Sequence, residues 1–217
     1  MISSVQALFL LEDFMTIVYR LGNKAYLNIT NACPCACVFC LRETQSGVGD
    51  ADSLWLESEP SVDEIKAALD AYDFDGITEI VFCGYGEPME RANVVIEISR
   101  YIKDIFREKN KPALPVRINT NGLVYLICSG FDVSLLGLVD TVSISLNADD
   151  AAEYLRVARP RFGEPSFDAL LRFARDAKDY TSVVFSVVEG TMSPERLENC
   201  ICIANEIGVS FRLRPRE

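Results

Sequence analysis

A chain of 217 residues, 49% hydrophobic and 24% charged, is long and apolar enough to build the core of one globular domain and too apolar for disorder. Its net charge of −11 sets an acidic surface against nucleic-acid phosphates, so tight non-specific binding there is not expected; Arg212, Arg214 and Arg216 are the first place to look for a local basic patch. There is no histidine, which excludes Ser-His-Asp and Cys-His catalysis, His-ligated zinc and the two-His-one-carboxylate iron site, so any metal must be held by sulfur or oxygen.

Residues 1–14 carry the apolar run Ala7-Leu-Phe-Leu-Leu11, with no basic stretch before it and Glu12 and Asp13 directly after it. They read as an N-terminal extension rather than a signal peptide, ahead of a single domain over 15–217. No apolar run is long enough to span a bilayer. With no export signal read, the eight cysteines point to a reducing cytoplasm, where clustered thiols bind metal or do redox work.

Along the domain, short β-branched runs alternate with longer amphipathic stretches, the mark of βα units and a parallel sheet. The runs predict strands over Ala25–Thr30, Glu79–Phe82, Pro115–Thr120, Thr141–Leu146, Ser182–Val188 and Ser210–Leu213. Ser61-Val-Asp-Glu64 is a capping box that opens a helix to about Tyr72. Ala92–Arg107 and Phe167–Lys178 carry helical spacing, and Ser193-Pro194 opens a last helix that Gly208 ends. Six βα units are too few for a closed eight-stranded barrel. They predict an α/β fold of the partial (βα)6 TIM type, with a doubly wound sheet as the alternative. In both, chemistry belongs at the C-terminal ends of the strands.

The first such end reads Asn31-Ala-Cys33-Pro-Cys35-Ala-Cys37-Val-Phe39-Cys40. A disulfide framework conflicts with the intracellular reading. Structural zinc takes four ligands in two separated pairs, and no second pair follows at normal spacing. Thiolates this close on one loop suit an iron–sulfur cluster. The second end reads Cys83-Gly84-Tyr85-Gly86-Glu87-Pro88, the third Asn119-Thr120-Asn121-Gly122, and the fourth Ser143-Ile-Ser145-Leu-Asn147. Taken alone, the second and third are turns. In the fourth, alternation sets Ser143, Ser145 and Asn147 on one face, where they need polar partners, a bound ligand or one another. Arg212 and Arg214 likewise share a side of the last strand, fit to grip a carboxylate or phosphate or to pair with the chain's own acids. Tyr154, Arg156, Arg159 and Arg161 lie in the segment after the fourth strand, read as a solvated helix face. Cys83, Cys128, Cys200 and Cys202 are scattered, the last two in an apolar helix as small hydrophobes.

Cys33-x3-Cys37-x2-Cys40, with Phe39 before the last cysteine, resembles the signature of the radical S-adenosylmethionine (SAM) superfamily. The resemblance implies that Cys33, Cys37 and Cys40 hold a [4Fe-4S] cluster whose fourth iron chelates SAM. One electron then cleaves SAM to methionine and a 5′-deoxyadenosyl radical, which abstracts a substrate hydrogen. Cys35 is the odd thiol in this pattern: a spare, an alternative ligand or, as preferred here, a packed residue. The resemblance also implies that Gly84, Gly86 and Glu87 meet the methionine part of SAM, with Tyr85 replacing one glycine of the commonest form. It places Asn121 on the substrate side, Ser145 and Asn147 at the ribose, and Phe39, Arg42 and Arg214 among the cofactor contacts. Tyr26-Leu-Asn-Ile-Thr-Asn31, Leu54-Trp-Leu-Glu57 and Arg159-Pro-Arg161-Phe-Gly163 are similar to the TatD-associated radical SAM proteins. The implied activity is an oxidoreductase-type radical reaction on an unknown small molecule or protein, fed by an external flavodoxin- or ferredoxin-like donor. The rival readings are a cluster protein that transfers electrons or senses redox state without cleaving SAM, and a zinc-stabilised interaction domain.

Overall fold

The computed structural model describes residues 15–108 and 112–215. The expectations for residues 1–14 and for Arg216 lie outside the described residues. The chain begins its sheet with a hairpin, β1 (Val18–Leu21) and β2 (Lys24–Leu27). Gly22 sits at φ 62° in the tight turn between them, a conformation that suits a residue with no Cβ. Strands β3 (Glu79–Phe82), β4 (Val116–Thr120), β5 (Thr141–Ser145), β6 (Ser182–Val188) and β7 (Ser210–Arg214) follow.

The order in the sheet is β1-β2-β3-β4-β5-β6-β7, antiparallel only at β1. Six parallel strands laid down in sequence order are the expected partial barrel, edged by β1 and β7. The hairpin strand β1 is an addition to the six expected strands: Val-Tyr-Arg-Leu is too short for periodicity, and only the Gly22-Asn23 turn marked it. The expected strand Ala25–Thr30 ends sooner, at Leu27. Beyond it the Asn28 carboxamide donates to the Thr16 and Leu54 carbonyls, at 3.1 and 2.8 Å, and draws the chain out of the ladder.

Helices α1 (Val62–Ala71), α2 (Ala92–Glu108), α3 (Val124–Ile127), α4 (Ala151–Ala158), α5 (Pro165–Ala177) and α6 (Pro194–Ile207) fill the crossovers. The Ser61–Glu64 capping box forms, and Ser193 and Gly208 cap α6 as their types require. One face of the sheet is apolar: Ile80, Phe82, Ile118, Val142, Ile144, Phe185 and Val187 are buried in the same core as Ile65, Ile98 and Phe173 of the helices. A buried side chain of this size contributes roughly 1.5–3 kcal/mol, so this face carries the stability. The opposite face is polar, and registers align its rows. Arg117 stands beside Thr141, Asn119 beside Ser143, Ser145 beside Ser186 and Ser186 beside Arg212.

Helix α4 corrects one reading. Tyr154 is not on a solvated face: it is 1% exposed and packs at 5.7 Å centroid distance on Phe167. Arg159, in the left-handed region at φ 47°, ends this helix and turns Pro160 and Arg161 back toward the cysteine loop.

Candidate functional site

The loop after β2 carries four cysteines, and its backbone is strapped to the end of α4. Ala36 N donates to Ala158 O at 3.1 Å, Val38 N to Val157 O at 3.0 Å, and Arg161 N to Pro34 O at 2.8 Å. Cys35 pairs with Pro160 as an isolated bridge and is buried in the main core, 5% exposed. Cys33, Cys37 and Cys40 are only partly buried. All eight cysteines are free thiols.

The buried thiol acts on its neighbours. Hydrogen bonding from the Cys35 side chain holds Cys33 down at about 6, against burial and helped by the nearby Arg42 guanidinium. The same Cys35 bond lowers Cys37. Cys35 itself is raised by its bonds to Cys33 and Cys37 and by burial. Cys40 is raised by burial, with Arg42 pulling the other way. The loop therefore holds one buried sulfur and three partly exposed ones, with Cys33 and Cys37 shifted toward thiolate, the form that binds metal. No three His, Cys, Asp or Glu side chains among the described residues converge on a single metal ion. Closely spaced sulfurs on one loop are the donor type that an iron–sulfur cluster takes.

The loop after β3 lies directly against this one. A Cβ on Gly86 would stand 2.2 Å from the Thr30 carbonyl oxygen, and one on Gly84 would stand 2.0 Å from the Asn28 carboxamide oxygen. Both positions thus need glycine for the chain's own close packing. Glu87 N donates to Ala32 O at 2.8 Å and ties the two loops together. The Glu87 side chain is buried. It accepts from Thr120 Oγ1 at 2.6 Å, Asn121 N at 2.7 Å and Met89 N at 3.0 Å. Burial raises its carboxyl to about 8, with the Thr120 bond opposing and the charge of Cys33 adding to the rise. Tyr85 turns elsewhere: its hydroxyl donates to the Gln45 carbonyl and its ring meets Trp55 edge-on at 5.2 Å.

Asn121 starts the expected turn, its Oδ1 accepting from Leu123 N at 2.9 Å, with Gly122 at φ 78°. Its Nδ2 is buried without a partner, as is Oδ1 of Asn147, which sits at φ 57° past the end of β5. These are two buried amide groups at neighbouring strand ends with hydrogen-bonding capacity left over. Ser145 Oγ stands 3.5 Å from Arg214 Nη2, and Ser143 Oγ 3.2 Å from Arg212 Nη2. Phe39 packs against the main core at the rim of the cysteine loop. Arg42 Nη2 reaches the Cys35 carbonyl at 3.5 Å, under the loop. The structure so brings Gly84, Gly86 and Glu87 against the cysteine loop, and lines up Asn121, Ser145, Asn147 and Arg214 along the next strand ends.

Sequence reasoning missed a deeper polar layer. Arg117 on β4 and Lys24 on β2 both meet Glu79 Oε2 on β3, at 3.0 and 2.6 Å. One charged residue in each of three successive strands was the available signal.

Among curated relatives, the probable dual-specificity RNA methyltransferase RlmN of Thermoanaerobacter sp. (strain X514) is 31% identical over 156 residues, 67% of this chain and 41% of that protein. The chain thus spans about two fifths of the length of the curated relatives it matches. Among solved structures, Streptococcus suis SuiB bound to S-adenosylmethionine superposes with a TM-score of 0.65 at 15% identity, covering 88% of this chain and 40% of SuiB. SuiB bound to the precursor peptide SuiA gives 0.64 at 16% identity, covering 87% and 38%. At such identity these structures establish a shared fold. Residues 27–201 match the sequence profile of the Radical SAM superfamily, and the chain belongs to that superfamily.

Proposed function

We propose that the chain is a radical SAM enzyme in which a [4Fe-4S] cluster on Cys33, Cys37 and Cys40, fed by an external flavodoxin- or ferredoxin-like donor, supplies the electron for reductive cleavage of SAM to a 5′-deoxyadenosyl radical that abstracts hydrogen from a substrate. The observation that carries this reading is the division of labour in the cysteine loop. Cys35 is buried in the core while Cys33, Cys37 and Cys40 stay partly exposed; those three sulfurs would hold a cluster and would leave one of its irons without a protein ligand.

The chain's own residues do the rest by position. The Cys35 S–H and Arg42 stabilise negative charge on the loop. Glu87 is anchored by three donors and so ties the loop after β3 to the end of β4; an arriving ammonium group would favour loss of its proton and pair with the carboxylate so formed. The buried amide ends of Asn121 and Asn147 and the Ser145 hydroxyl offer contacts for ribose and adenine. SuiB binds a precursor peptide and RlmN is named for RNA. Of the possible substrates for this chain, its net charge of −11 favours a small molecule or a protein over nucleic acid. A reducing, cytoplasmic setting is the reading that eight free thiols support.

Anaerobic reconstitution should give a brown protein with about four irons and four sulfides, and dithionite with SAM should yield 5′-deoxyadenosine. A cluster-loaded protein that forms no 5′-deoxyadenosine, even slowly, overturns the reading in favour of a cluster protein that does not cleave SAM.

A further inference from the structure

We propose that the polar face of the sheet, below the strand ends, binds an anionic group of the substrate, a carboxylate or a phosphate, with Arg212 as its principal contact and Arg117 beside it. The proposal rests on the radical SAM reading of the strand-end loops and adds the substrate class.

The sheet offers this face an excess of cations. Lys24 and Arg117 both point to one carboxylate, and to the same oxygen of it, Oε2 of Glu79. Arg117 is only 4% exposed, and its Nε has no partner. Arg212, on the edge strand β7, stays half-buried and among the described residues reaches the neutral Ser143 hydroxyl, at 3.2 Å; its Nε too is buried without a partner there. Burial and then the nearby charges of Arg117 and Arg214 lower the Arg212 pKa, the behaviour of a guanidinium among like charges with Glu79 as its main relief. In a protein of net charge −11, an internal face with this sign is a local reversal, and such a face draws anions from solvent. A guanidinium presents a planar fork of N–H donors that matches both oxygens of a carboxylate or two of a phosphate. The orphaned Nε–H groups of Arg117 on β4 and Arg212 on β7 are donors that such a group would satisfy.

Depth separates this subsite from SAM. Arg212 lies two residues below Arg214 along β7, which is roughly 7 Å at the rise of a strand. The SAM contacts named above lie on loops and strand ends, whereas Arg212 and Arg117 sit within strands. A group held by Arg212 therefore reaches into the half-barrel from the substrate side.

The test uses cluster-loaded protein under anaerobic, low-salt conditions, titrated calorimetrically with inorganic phosphate and, separately, with succinate, with and without saturating SAM. Wild type should bind at least one of the two anions saturably, and SAM should not displace it. The tighter of the two says whether the group is a phosphate or a carboxylate. Arg212→Gln should weaken binding by about tenfold or more and Arg212→Lys should restore part of it. Ser143→Ala, a smaller change, should weaken it by a lesser factor should Arg212→Gln fail to fold. SAM affinity should stay at the wild-type value in all three. Absence of saturable binding of both anions, displacement by SAM one for one, or wild-type anion affinity in Arg212→Gln overturns the proposal. Failure of SAM cleavage is read from 5′-deoxyadenosine alone and leaves the anion titration standing, so the two failures are told apart.

Discussion

The Glu87 carboxylate accepts a hydrogen bond from the Thr120 hydroxyl at 2.6 Å, joining the loop after β3 to the end of β4. The glutamate that resemblance aims at a cofactor ammonium is thus also a strut of the site. Its two oxygens already take three donors before any ligand arrives.

That strut makes stability pH-dependent. An ordinary glutamate titrates near 4.3, while burial holds the folded carboxyl at about 8. Between those values the folded protein keeps a proton that the unfolded chain has released. Stability contributed by Glu87 is therefore full at the acid end of the window and is lost as pH rises toward 8, by up to about 1.4 kcal/mol per unit. Urea unfolding of cluster-free protein at about pH 5.5 and about pH 7.5 should show a steeper loss in wild type than in Glu87→Gln, which cannot titrate. Equal slopes in the two proteins sink the assignment.

The four cysteines of the loop should divide three to one. Cys33→Ala, Cys37→Ala and Cys40→Ala each lose the iron and the brown colour after reconstitution. Cys35→Ala keeps both and costs about 1 kcal/mol in stability, because a small buried side chain leaves a small cavity. Iron analysis beside thermal melting checks this, and a Cys35→Ala protein as iron-poor as Cys37→Ala contradicts it.

Glycine is needed at position 86 and not at 137. A Cβ at Gly86 meets two backbone oxygens, Thr30 O at 2.2 Å and Ala32 O at 2.8 Å, which no side-chain rotation relieves. At Gly137 nothing lies within 4 Å. Gly86→Ala should cost on the order of 2 kcal/mol or more and disturb the cysteine loop, while Gly137→Ala should be near neutral. Denaturation midpoints of the two variants compare them directly.

Glu79 ties together three strands by meeting Lys24 and Arg117. Glu79→Gln leaves two cations facing each other, one of them Arg117 with a side chain 5% exposed. It should destabilise by about 3 kcal/mol. Adding Arg117→Met should recover much of that, because the surviving Lys24 is the more exposed cation. A double variant less stable than Glu79→Gln alone would falsify the view that the unpaired arginine is the cost.

Much of the site was legible in the chain because its signals are local. Alternation in Thr141-Val-Ser143-Ile-Ser145 and in Ser210-Phe-Arg212-Leu-Arg214 set polar side chains on one face, and the registers keep them there. Ser61, Ser193 and Gly208 cap helices within a few residues of themselves. What was not legible depended on distant partners. Tyr154 carries no local mark of burial; only the return of α4 onto the cysteine loop places it inside.

By itself the sequence determined the βα alternation, the polar face of the later strands and a loop of closely spaced thiols, since each follows from side-chain period or spacing along a few residues. The tertiary structure alone decided what Cys35 is buried against, that Glu87 is braced by Thr120, and that Glu79 is the one carboxylate, among the described residues, paired with the cations of the polar face. Those outcomes join residues far apart in the chain, such as Glu87 with Thr120 and Cys35 with Pro160, and only the register of neighbouring strands and the packing of α4 bring such residues together.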